Sequence, residues 1–161
     1  MKYKAAIITI SDKGSAGQRE DKSGPALKEM LTGFYEVNDI IIIPDEVHII
    51  ADTIKRLVDE QKADLVITNG GTGLGKRDVT PEATKLVVEK ELPGFSETMR
   101  SESYKITPHG IISRGLCGTR SESIIINLPG SPKAATECLS FIINALPHAL
   151  SKLKGDPTDC G

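Results

Sequence analysis

Four glycines within six residues, then two cations and an acid, mark Gly70-Gly71-Thr72-Gly73-Leu74-Gly75-Lys76-Arg77-Asp78 as the stretch best suited to chemistry. The apolar run Leu65-Val66-Ile67 leads into it, and a helix-forming segment, Glu82 to Glu89, follows it. Strand, glycine-rich loop, then helix is the order in which α/β proteins turn backbone N–H groups toward a phosphate. A side chain there would obstruct the approach and forbid positive φ. Thr80 is placed to cap the next helix, and Pro81 to take its first position, where no N–H is missed.

Two common phosphate motifs are excluded. Gly70 to Lys76 nearly spells the P-loop, but Arg77 stands where that motif needs a Ser or Thr hydroxyl for Mg²⁺. The dinucleotide fingerprint fails too, because Gly71, Gly73 and Gly75 alternate and no third glycine follows at the required spacing. The loop is a phosphate-type loop of another kind, with Asp78 just ahead of the helix.

Three more strand ends carry polar or turn sequence: Ser11-Asp12, Pro44-Asp45 and Pro129-Gly130-Ser131. In a parallel sheet all of these lie on one edge, where open α/β sheets bind ligands. The convergence predicts an anion pocket with the acids Asp45 and Asp78 beside it. Carboxylates near bound phosphates need an intervening positive charge. Mg²⁺ suits, since it takes one or two carboxylates plus phosphate oxygens. The alternative is a helix cap for Asp45 and a turn acid bonded to the Thr80 N–H for Asp78. Ser11 and Asp12 are equally readable as a hydrogen-bonded turn. Lys76 and Arg77 could neutralise ligand charge, although exposed loop cations are commonly just solvated; Arg114 and Arg120 carry the same ambiguity.

The 161 residues suit one domain, expected over 1–154, with 155–161 a flexible tail. Net charge is −2, and aromatics make up only 4% with no Trp, so neither a general nucleic-acid binder nor a base-stacking platform is expected. Cys117, Cys138 and Cys160 are far apart and odd in number, which speaks against a zinc ribbon or a disulfide framework. His48, His109 and His148 lack metal-site spacing, and no Ser-His-Asp or Cys-His arrangement is visible. No stretch reads as a signal peptide or a membrane span, so the cytoplasm is the expected compartment and no membrane partner is expected.

The elements that must position these residues alternate. Strands are expected at Tyr3 to Ile10, Val37 to Ile43, Asp64 to Thr68 and Ser123 to Leu128. Helices are expected at Pro25 to Thr32, Val47 to Gln61, Pro81 to Lys90, Phe95 to Tyr104, Lys133 to Ile143 and His148 to Lys154, with Pro147 as an interruption and one helical turn over Pro108 to Ser113. Such alternation makes an α/β fold with a parallel, right-handed, doubly wound sheet. The loop from Ser11 to Gly24 is long for a connection and therefore a functional candidate.

Gly70-Gly71-Thr72-Gly73 followed by Arg77-Asp78-Val79-Thr80-Pro81-Glu82-Ala83-Thr84 resembles the signature of the molybdopterin adenylyltransferase family. That family includes MogA- and MoaB-type proteins and the corresponding domain of gephyrin. Ser11-Asp12, Asp21-Lys22-Ser23-Gly24-Pro25, Pro44-Asp45-Glu46, Pro93-Gly94-Phe95, Ile106-Thr107-Pro108, Ser113-Arg114 and Leu128-Pro129-Gly130-Ser131-Pro132 follow in the family's order. The resemblance implies a three-layer αβα, mostly parallel sheet, usually in a homotrimer. It implies ATP-dependent transfer of AMP to the terminal phosphate of molybdopterin, with release of pyrophosphate, and hand-over to a molybdate-insertion protein. Under it Asp45 and Asp78 become the catalytic acids and Mg²⁺ ligands. Ser11, Asp12, Gly70, Gly71, Thr72, Gly73, Arg77, Thr80, Gly130 and Ser131 become the substrate- and phosphate-binding set. A non-catalytic molybdopterin-binding or delivery protein is the competing expectation.

Overall fold

The computed structural model describes residues 2–38 and 40–160. Met1, Asp39 and Gly161, which fall in the expected domain, second strand and tail, lie outside them. The core strands are β1 (Tyr3–Ile10), β4 (Leu65–Asn69) and β7 (Ser123–Leu128). They run parallel in the order β1-β4-β7, with Thr9 beside Asn69 and Asn69 beside Leu128. Their inner residues are β-branched or small and buried on both faces, which is why each reads as an unbroken apolar run.

Side-chain alternation sends these residues into two layers. Ala5, Ile7, Leu65, Ile67, Ile124 and Ile126 pack against α2 (Ser23–Thr32), α5 (Pro93–Ile106), α6 (Pro132–Ile142) and α7 (Leu146–Leu153). Ala6, Ile8, Val66 and Ile125 face α3 (Val47–Lys55) and α4 (Thr80–Lys85) instead. The result is the three-layer αβα architecture.

Several expected boundaries move. Val37 to Ile43 is not one strand. β2 (Tyr35–Val37) pairs with the start of β1 and β3 (Ile41–Ile43) with its end. The partner offset grows by one residue between them, from Ala5 beside Val37 to Ile8 beside Ile41. The helix from Val47 passes at Arg56–Glu60 into a π-helical turn and ends where Lys62 adopts φ 56°. Pro147 does not interrupt α7; it sits in the first turn, where its missing N–H costs nothing.

The largest departure is beyond β7. α4 stops at Lys85 rather than Lys90, and two antiparallel strands, β5 (Lys90–Glu91) and β6 (Cys117–Arg120), complete the sheet. Neither has an apolar run to announce it. Gly118 is required where β6 meets β5, because a Cβ there would lie 2.8 Å from the Lys90 carbonyl oxygen.

One buried polar bracket ties these parts together. Asn127 Nδ2 donates to Thr68 Oγ1 and Thr84 Oγ1, both at 2.9 Å, and Oδ1 accepts the Leu116 N–H at 3.2 Å. Thr84 Oγ1 donates to the Thr80 carbonyl, so α4 is pinned to the sheet beneath the glycine loop. Replacing Asn127 by Ala opens a cavity and strips partners from buried polar groups. Asn127→Ala is expected to cost about 2–4 kcal/mol of stability, read from urea unfolding midpoints.

Candidate active site

The glycine loop leaves β4 at the top of the sheet. Gly70 has φ 102°, and a Cβ on it would stand 2.2 Å from the Ile10 carbonyl oxygen. No other residue fits there. The Gly70 N–H donates to the Leu128 carbonyl at 3.1 Å, joining the ends of β4 and β7. Thr80 Oγ1 donates to the Gly70 carbonyl at 2.9 Å. Thr80 therefore holds the loop rather than capping α4, whose first turn has no side-chain cap. Among the described residues, the Gly71, Thr72 and Gly73 N–H groups have no protein acceptor.

The far side of the loop wraps around Asp78. The Gly75 N–H donates to Asp78 Oδ2 at 2.8 Å, while the Thr80 N–H goes to the Gly71 carbonyl. Asp78 is thus a turn acid, but for Gly75 and not for Thr80. Arg114 clamps the loop from outside. Its guanidinium donates to the Gly73 and Asp78 carbonyls, each at 2.9 Å, and pairs with Glu82, while its N–H bonds the Thr72 carbonyl. The pairing holds the Glu82 carboxyl below its ordinary range.

The cleft beside the loop has a volume of about 770 Å³, within the usual range for small-molecule sites. Asp45 and Asp78 both line it, together with Ser11, Gly70, Gly71, Gly130 and Ser131. Asp12, Thr72, Gly73, Arg77 and Thr80 belong to the surrounding scaffold rather than to its lining. Ser11 accepts the Gly14 N–H and caps the short helix α1 (Asp12–Ser15), and Ser131 caps α6 through the Ala134 N–H. Both serine hydroxyls thus have structural work as well as a place on the wall.

Sequence reasoning left out part of this wall. Thr9, Arg19 and Glu20 also line the cleft, beside Lys22 of the Asp21-to-Pro25 motif and Asn69 at the head of the glycine loop. Asn69 Nδ2 donates to Thr9 Oγ1 at 3.0 Å, and Thr9 Oγ1 to Asp21 Oδ2 at 2.8 Å. Asp21 Oδ1 accepts the Gly24 N–H at the start of α2. Ser23 Oγ reaches across to the Gly130 carbonyl at 2.6 Å. The unusual length of the Ser11-to-Gly24 loop was the available signal.

The acids are not equivalent. Asp45 does not cap α3: its Oδ2 accepts the Asp12 N–H at 2.8 Å, and its own N–H returns to Asp12 Oδ1 at 3.0 Å. Burial raises the Asp45 pKa, with repulsion from Asp12 and Asp78 adding to it. Arg77 holds Asp12 below the usual carboxylate range. The donor set suits a small hard cation shared with phosphate. Two carboxylates share the cleft, and among the described residues neither Asp45 Oδ1 nor Asp78 Oδ1 accepts a hydrogen bond. Among those residues no group of three acids, His or Cys could hold a metal alone.

Fold and cleft together define a three-layer α/β protein with an open cleft beside a glycine loop flanked by acids. The chain belongs to the family described as "Probable molybdopterin binding domain", whose profile matches residues 6–148. It is 44% identical over 154 residues to the molybdopterin adenylyltransferase of Helicobacter pylori J99, covering 93% of this chain and 87% of that protein. The Escherichia coli K12 protein of the same name is 44% identical over 143 residues, covering 86% and 73%. The crystal structure of the molybdopterin biosynthesis enzyme MoaB from Thermus thermophilus superposes with a TM-score of 0.90 at 43% identity, covering 98% and 99%. No helix among the described residues is long and apolar enough to cross a membrane.

A raised carboxyl pKa fixes the sign of a stability effect. Asp45 binds its proton more readily folded than unfolded, so its contribution favours folding at low pH and is lost as pH rises through its folded pKa. Asp45→Asn should therefore raise the melting temperature of the ligand-free protein at pH 7. The gain should vanish as pH falls below the ordinary Asp value of about 3.9. Melting curves across pH check both parts.

Proposed function

We propose that this chain adenylylates molybdopterin. The convergence of Asp45 and Asp78, remote in sequence, on one glycine-floored cleft carries the proposal, and the names of the relatives supply the substrate. In the reaction, an oxygen of the pterin's terminal phosphate attacks the α-phosphorus of ATP. A new P–O bond forms there, and the bond to the departing pyrophosphate breaks. Catalysis of this kind is positioning and charge neutralisation, without a covalent nucleophile.

The chain's residues divide the work. The Gly71 N–H, on the cleft wall and unpaired among the described residues, is the loop's donor for phosphate oxygens. Gly130 and Ser131, just ahead of α6, add a helix N-terminus beside the glycine loop. Asp45 and Asp78 would hold Mg²⁺, which supplies the positive charge that lets two polyanions approach. The homotrimer is what the family resemblance implies, and the exposed apolar residues Tyr104, Ile106, Ile111 and Ile112, at the end of α5 and in the following 3₁₀ turn, are a surface that contact between copies would cover. The adenylylated product would pass to a molybdate-insertion protein in the cytoplasm.

Incubation of the purified chain with molybdopterin, ATP and Mg²⁺ should release pyrophosphate and form adenylylated pterin. Pterin binding without either product would assign the chain to delivery instead. Asp78→Asn is expected to lower turnover on the order of 10²-fold with the fold intact by circular dichroism. Sedimentation equilibrium should give three times the 17.3 kDa chain mass.

A further inference from the structure

Arg77, the cation directly before Asp78 in the chain, is not where a phosphate-gripping residue would be. Arg77 Nε donates to Asp12 Oδ2 and Nη2 to Asp12 Oδ1, each at 3.0 Å, and Nη2 also reaches Glu46 Oε1 at 2.7 Å. Three of its five N–H donors go to acids, and it does not line the cleft. What it holds is informative. The Asp12 carboxylate, gripped on both oxygens, accepts the Asp45 N–H, and the Asp12 N–H is bonded to the Asp45 carboxylate. Glu46, the second partner of Arg77, is the next residue after Asp45 in the chain.

We propose that Arg77 and Asp12 are positioning residues: Arg77 locks Asp12, and Asp12 locks the backbone and carboxylate of Asp45 in the cleft. The bonds form a continuous path from the end of the glycine loop, across the loop after β1, to the turn after β3. The path thereby sets the separation of the two acids, since Asp78 directly follows Arg77. One Asp45 oxygen is held by Asp12, and the other is left to the ligand side. The value of this for catalysis rests on the adenylylation reading; the fixing of Asp45 does not.

The test separates fixing from gripping through geometry. A guanidinium bound two-pronged to a carboxylate is not replaced by an ammonium, whereas a phosphate accepts either as a positive charge. Arg77→Lys and Arg77→Gln should both lower kcat by about tenfold, the usual effect of losing an outer support, with KM for ATP within about twofold of the parent. Manganese titration followed by electron paramagnetic resonance, with ATP present, should show weaker Mn²⁺ binding in both. Near-normal kcat in Arg77→Lys with a raised KM in Arg77→Gln would overturn the proposal and make Arg77 a phosphate ligand. If the unsubstituted chain makes no product, ligand-free amide exchange decides. The Asp12 and Asp45 N–H groups should exchange at least about tenfold faster in Arg77→Gln than in the parent. Equal protection overturns the proposal. Asp12→Asn, which turns an amide donor toward the guanidinium, is the second variant and should shift every readout in the same direction.

Discussion

Everything at the site depends on backbone packed directly against backbone where β1, β4 and β7 end together. The Ile10 carbonyl presses on Gly70, and Gly130 comes so close that a Cβ would lie 3.2 Å from the Gly70 Cα. The three turns therefore share one rim, with no side chain between them. A fourth turn, after β3, joins through Asp45 and Asp12. The cleft is the space these turns enclose.

Two kinds of polar contact stand behind that rim. Buried ones, Asn127 to Thr68 and Thr84 and Thr80 to Gly70, fix α4 and the glycine loop relative to the strands. A part-buried set, Arg114 to the loop carbonyls, and an exposed one, Arg77 to Asp12, brace it from outside. The acids nearest the ligand are set against each other instead. Asp45 sits half-buried with Asp12 and Asp78 nearby, a disfavoured arrangement for an empty protein and a favourable one for receiving a cation.

Much of this was legible because it is local. The apolar runs of β1, β4 and β7 and the glycine-rich turn are contiguous signals, and parallel strand order alone brings Asp45 and Asp78 to one edge. What escaped was non-local. β5 shows only Lys90 and Glu91, and β6 is broken by Gly118, so neither has a hydrophobic period to read. The partners of Arg77 and Arg114 lie far away in the chain, and a cation's position does not reveal whether it meets ligand, water or protein. Thr80 matched a cap by position, but the tertiary demand of the Gly70 carbonyl took its hydroxyl.

The short, broken strands at the margins of the sheet have a consequence for solubility. On one side β2 and β3 offer three residues each, out of continuous register; on the other β5 offers two, both charged and exposed. An unpaired strand edge is a template for another chain, and long, flat, apolar edges invite it most. Here no margin among the described residues is long enough to recruit a neighbour by strand addition. The very apolar interior strands, the segments most prone to cross-β stacking, are kept at the centre, screened on both flanks.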